Sequence, residues 1–166
     1  MDWSFVLRFR LPADGADPAG WLDALFEAGC DDATVGVGRP GLIALDFTRA
    51  AATAQAAVET ALEDVARAIP GAQLIEVAPD LVTLADMAAA FGCSKQNIQK
   101  YAAGTIRAVK VPFPAPVHAG ASSLWRMAEV LDWFDRHTDL HPSPALKQVA
   151  ATAFQVNMAQ WGRFQP

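Results

Sequence analysis

Apolar and polar residues alternate along S-F-V-L-R-F-R-L at positions 4–11, the period of a strand with one buried face. Asp17-Pro18 pairs an N-cap with a proline at the first helical position. Trp21, Leu22, Leu25 and Phe26 then recur as the buried stripe of a helix that ends at Gly29. Residues 33–37 and 42–47 read as two short strands, joined by the turn residues Gly38-Arg39-Pro40-Gly41. An alanine-rich helix follows from about 51 to 69, with Val58, Leu62, Val65 and Ile69 on its core face. Pro70-Gly71 stops it, and residues 73–77 make a fourth strand.

The order strand, helix, strand, strand, helix, strand is a split βαβ arrangement. It predicts a ferredoxin-like α+β domain over residues 1–78, with Ala78-Pro79-Asp80 as its boundary.

The pattern changes at T-L-A-D-M-A-A-A-F-G-C-S-K-Q-N-I-Q-K-Y-A-A-G, residues 83–104. Thr83 and Asp86 have the spacing of a capping box. Leu84, Met87, Ala88 and Phe91 share one face of a first helix, and Gly92 suits the left-handed stop. Ser94 caps a second helix, whose apolar members are Ile98, Tyr101 and Ala102. This is the spacing of a DNA-binding helix-turn-helix, with small Ala88 permitting close approach of the two helices. Lys95, Gln96, Gln99 and Lys100, with Asn97 nearby, are left outside. Amides suit adenine edges and cations suit guanine or phosphate, so helix 95–103 is expected to read the major groove. Ser94 and the amides beside it are expected to hold a phosphate.

Residues 106–111 have strand character and carry Arg107 and Lys110. Pro112, Pro114 and Pro116 exclude helix in the next stretch. Ala119-Gly120 is a turn, and Leu124-Trp125-Arg126 a return strand. Together they predict a wing over 106–126 that lays Arg107, Lys110 or Arg126 on the DNA backbone. A helix from about 127 to 137 buries Val130, Leu131 and Trp133 or Phe134. The last helix, after Pro142-Ser143-Pro144, carries the stripe Leu146, Val149, Ala153, Phe154, Val156 and Trp161. The expected modules are therefore 1–78, a winged helix-turn-helix at 79–138, and a C-terminal helix at 139–166 for oligomerisation.

A helix-turn-helix followed by F-P-x-P-V, a glycine turn, L-W-R and E-V-x-x-W-F resembles the MerR-like winged-helix family, in its branch of excisionases and AlpA-type phage regulators. The residues that carry the resemblance are Ala88, Gly92, Ser94, Ile98, Phe113, Pro114, Pro116, Val117, Trp125, Arg126, Val130 and Trp133. It covers roughly residues 81–136 and implies a small DNA-binding fold, its second helix in the major groove and its wing on the backbone. The segment 105–112 is longer than the usual link before F-P. Residues 1–78 lie outside the resemblance.

A net charge of −5 argues against nucleic acid until its distribution is considered. Residues 1–87 hold five basic and fourteen acidic side chains, whereas residues 88–127 hold five basic ones and no acid. That window is a local electrostatic footprint in an acidic protein. At 52% hydrophobic the chain can bury a core, yet it has no apolar run long enough for a membrane span. The opening M-D-W-S-F lacks the pattern of a secretory leader, and the lone Cys30 and Cys93 suit a reducing compartment, so a cytoplasmic protein is expected.

Other chemistry is hard to assemble. Gly36-Val37-Gly38-Arg39-Pro40-Gly41 matches a dinucleotide fingerprint, but a strand rather than a helix is expected after it. His137 and His141 are separated by a helix break, and Asp31-Asp32 reads as a polar loop. The expectation is a non-enzyme without metal or cofactor. The leading reading is a transcriptional regulator that binds double-stranded DNA as a homodimer on two half-sites. Two alternatives stay open: an antitoxin-like or phage-related interaction module with a partner at the acidic N-terminal domain, and a sensor whose N-terminal domain binds a small molecule.

Overall fold

The computed structural model describes residues 1–13 and 16–162. It is a mixed α+β protein with a four-stranded antiparallel sheet and six α-helices among the described residues. The described residues form two compact units, one within 1–78 together with 155–162, the other residues 79–154. The C-terminal segment expected as a separate module at 139–166 is thus divided between the two.

In the first unit, β1 (Asp2–Arg10), β2 (Ala33–Gly36), β3 (Leu42–Ala50) and β4 (Gln73–Ala78) form the sheet in the order β2-β3-β1-β4. Alternation decides its faces: Trp3, Phe5, Leu7 and Phe9 are buried while Asp2, Ser4, Arg8 and Arg10 are exposed. Phe5 lies opposite Phe47 in the β1–β3 ladder, and their rings stack 5.2 Å apart. Asp17 caps a 3₁₀ turn, Pro18–Trp21, before α1 (Leu22–Glu27). The proline at N1 therefore starts a tight turn, and the helix proper is only six residues long. That shortening corrects the expected stripe: Leu25 is buried, Trp21 is half-buried, and Leu22 and Phe26 are exposed.

Thr53 caps α2 (Ala54–Ala68), accepting from the Ala56 amide at 3.1 Å. Ala54, Ala57 and Ala61 are buried alongside Val58 and Val65, so small side chains as well as branched ones make the core face. Gly71, at φ 85°, takes the left-handed conformation needed to turn into β4. β4 is an edge strand, and the Asn157 amide closes part of its free side. Asn157 accepts from the Val77 amide and donates to the Val77 carbonyl, both at 2.8 Å.

In the second unit, β5 (Leu81–Val82) pairs antiparallel with β6 (Trp125–Arg126). Between them come α3 (Leu84–Phe91) and α4 (Lys95–Ala102), and α5 (Met127–His137) follows β6 directly. α6 (Pro144–Trp161) begins behind Ser143, whose hydroxyl accepts from the Leu146 amide at 3.1 Å. Trp161 is exposed, outside the stripe expected for it. Among the described residues no helix is long and apolar enough to cross a membrane.

Met87, Ile98, Met127, Val130, Leu131 and Phe134 form the centre of this unit's core. Residues 112–116 run extended along it. Their prolines have no N–H to pair, and two indoles satisfy the carbonyls: Trp133 Nε1 donates to Pro112 O at 2.8 Å and Trp125 Nε1 to Pro114 O at 3.0 Å.

Candidate nucleic-acid interface

The turn between α3 and α4 is built by local chemistry. Thr83 and Asp86 complete the capping box, and Gly92 adopts φ 64°, ψ 33° at the end of α3. The Cys93 amide reaches back to Ala88 O at 3.0 Å. Ser94 Oγ accepts from the Asn97 amide at 3.2 Å and so starts α4. Ile98 is fully buried, and the half-buried Tyr101 ring meets Phe134 at 5.0 Å and Trp133 at 6.1 Å. These contacts fix which side of α4 faces inward.

At 100° per residue, Lys95, Gln99, Gln96 and Lys100 then occupy one arc of about 140° on the other side. All four are exposed, as is Ser94. Asn97 is half-buried and lies beyond that arc, next to Tyr101. The arc carries two cations and two amides and no acid.

The flanking residues are placed differently from the expected wing. Residues 106–111 form no strand: Val109 N bonds Ile106 O at 3.1 Å, and Thr105 N and Oγ1 both bond Lys100 O. The Thr105 bonds satisfy the Lys100 carbonyl in the last turn of α4 locally, and Pro112 offers no N–H to a ladder. Arg107 and Lys110 are exposed in this turn region. The hairpin that does form covers residues 117–124, with a single bridge between His118 and Leu124. Its tip, Ala119 to Ser123, carries no cation.

Arg126 is engaged inside the unit. Its guanidinium donates to both carboxylate oxygens of Asp80 at 2.8 Å and stacks 4.8 Å over the Phe154 ring. Asp80, almost fully buried, also accepts from the Met127 amide through its backbone carbonyl at 2.7 Å. The pair latches β5 to β6, and the exposed basic residues of the acid-free window 88–127 are Lys95, Lys100, Arg107 and Lys110.

The chemistry discounted at 31–32 turns out to be structural. Arg49, buried on β3, donates to Asp32 at 2.8 and 3.0 Å, to Asp64 at 2.8 Å, and to Gly29 O at 2.8 Å. Cys30 is buried beside this network, and burial, then the Asp64 charge, push its thiol up to about 11. A raised thiol value favours the fold while the thiol is neutral. Stability should therefore fall as the pH rises from about 9 through about 11. At pH 8 a disulfide exchange reagent should label the half-buried Cys93 and spare Cys30 until the chain is unfolded. Rapid labelling of two thiols in the folded chain would contradict this packing.

His137 ends α5, while His141 lies in the loop beyond it, 3.2 Å from an Asp135 oxygen. Hydrogen bonds from Lys147 and His141 hold the Asp135 carboxyl below its usual range. Gly36 to Gly41 leads into β3, a strand, so no helix N-terminus is available there for a pyrophosphate. No family model matches the chain, nor does any curated protein or solved structure.

Proposed function

We propose that this protein is a sequence-specific DNA-binding regulator that reads the major groove with α4. The observation that carries the reading is the outward arc of α4. Lys95, Gln96, Gln99 and Lys100 are exposed together, on a helix anchored by Ile98 and Tyr101. An acid-free window of the chain surrounds them. The α3–turn–α4 pair, the prolines at 112–116 and the short hairpin at 117–124 support a MerR-like winged helix-turn-helix with a reduced wing. The strand order β2-β3-β1-β4, antiparallel throughout, supports a ferredoxin-like first unit.

Four exposed cations give a shallow electrostatic contribution, with a salt slope of about −3 to −4 per protomer. Specific affinity then calls for a homodimer on two half-sites, one α4 in each major groove. Fluorescence anisotropy of the full chain against a random duplex pool, titrated with salt and then selected for sequence, tests this. Enrichment of one inverted repeat with that slope is expected. Lys95→Glu with Lys100→Glu should weaken binding at least about a hundredfold, as two charge-assisted contacts are lost, and leave the far-UV spectrum unchanged. Undiminished binding by the double variant would remove α4 from the interface.

A second reading, an interaction module, has one observation in its favour. Leu22 and Phe26, one turn apart on α1, are 41% and 69% exposed. Absence of DNA binding at low salt would leave that reading standing.

A further inference from the structure

We propose that the open face of the first unit's sheet binds a small anion with a flat apolar body, seated over Gly36 and facing Arg39. The inference is independent of DNA binding by α4. It starts from a cavity of about 390 Å³, within the range of small-molecule sites, that is lined by residues from all four strands. Gly36 of β2 and Ala44 of β3 are ladder partners and supply the floor. Leu42 and Ile75 supply apolar walls, and Arg8 and Arg39 the charge.

Glycine within a strand weakens it, so its presence at Gly36 calls for a reason. Backbone geometry is not the reason, because Gly36 is absent from the positive-φ glycines, unlike Gly41 at φ 77°. Steric conflict is not the reason either: a Cβ at Gly36 would meet only Ala44 atoms, at an ordinary 3.7 Å. Gly38, which also lines the cavity, would place a Cβ in open space. What the missing side chains do accomplish is to leave the floor low. The G-x-G-x-x-G run thus needs one glycine for its turn and leaves two beside the cavity.

The wall has a comparable origin. The β1–β4 register shifts between Arg8 and Phe9, which leaves Ile75 as the extra residue of a bulge, 50% exposed. Charge then selects the ligand. Arg8 is paired with Glu76 at 2.9 Å, so those two cancel. Arg39 has no ion pair among the described residues, and Arg10 stands opposite Leu42 at the same end of the sheet. Asp46 lies two residues beyond Ala44, opposite Val6 and Thr34, and Asp2 is further still along the same face, opposite Ala50. An apolar slot with Arg39 at one end, outside any ion pair among the described residues, fits an aryl carboxylate or a similarly compact amphipathic anion.

Two-dimensional ¹H–¹⁵N spectra of the full chain, titrated with 2-naphthoate, test the proposal. The neutral 2-naphthylmethanol and the cationic 2-naphthylmethylamine serve as isosteric controls. Saturable shifts at Gly36, Gly38, Ala44 and Ile75 are expected with the carboxylate, and much weaker ones with the controls. Arg39→Glu, on an exposed side chain, should weaken 2-naphthoate binding by about tenfold or more, the loss of one charge-assisted contact. Gly36→Val should hold or raise the melting temperature while abolishing the saturable shifts. No saturable shift up to about 5 mM, equal binding of all three compounds, or unchanged binding by Arg39→Glu would overturn the proposal.

Discussion

Phe134→Ala should destabilise the second unit by about 3–5 kcal/mol, the ordinary cost of emptying a fully buried aromatic site. The ring is shared by every element that sets the direction of α4. It meets Phe91 of α3 at 4.6 Å, Tyr101 of α4 at 5.0 Å, Trp133 at 5.1 Å and Phe113 of the extended run at 5.8 Å. Edge-to-face pairs add about 0.5–1.5 kcal/mol each beyond the area they bury, so the upper part of the range is expected. Urea denaturation followed by amide exchange in α3, α4 and α5 measures it. Phe134→Leu retains much of the volume and should cost less than half as much. A loss below about 1 kcal/mol for alanine would mean that the ring is not the keystone described here. On the proposed function, DNA binding should weaken in proportion, since α4 would lose its seat while keeping its surface residues.

Arg49→Met should destabilise the first unit by about 3 kcal/mol, because removing one member of a buried ion network strands the others. Its side chain is only 8% exposed. Burial opposes the charge, but hydrogen bonds to Asp32 and Asp64 outweigh it and raise the guanidinium pKa. With methionine in place, Asp32 loses both of its Arg49 contacts, while Asp64 is left with the exposed Arg67 as its cation among the described residues. Gly29 O also loses its donor. Amide exchange in β1 and β3 reports the effect. Asp32→Asn added to Arg49→Met should recover part of the loss, since one uncompensated charge disappears; a strictly additive double variant would show that the two groups do not interact. This network was not legible as chemistry. Asp31-Asp32 looks like loop polarity, and Arg49 lies past the end of the expected strand at 42–47, on the buried face it shares with Ile43, Leu45 and Phe47.

The elements and the candidate interface were not equally legible. The capping box at Thr83, the left-handed Gly92 and the Ser94 cap occur as expected, and α5 begins and ends at the expected residues. The wing was the weak point. Strand character at Ile106 to Val111 is a matter of residue type, and it yields when Thr105 can cap the carbonyl of Lys100 and Pro112 blocks further pairing. Phe26 and Trp161 fit helical stripes on paper, yet Phe26 stays exposed on a six-residue helix and Trp161 on the last turn of α6.

The sequence by itself determined the order of elements in the first unit, the caps of α3 and α4 with the turn between them, and the acid-free window around α4. Those depend on interactions within three or four residues, on a period of two or 3.6, or on composition alone. Only the tertiary structure decided that β6 pairs with Leu81-Val82 and that Arg126 belongs to Asp80, 46 residues away. It alone placed Arg49 between Asp32 and Asp64, and made one cavity out of Gly36, Arg39 and Ile75. An arginine looks the same along the chain whether it will meet a carboxylate or solvent. Its partner is chosen by the packing that brings distant segments together, and no local pattern encodes that choice.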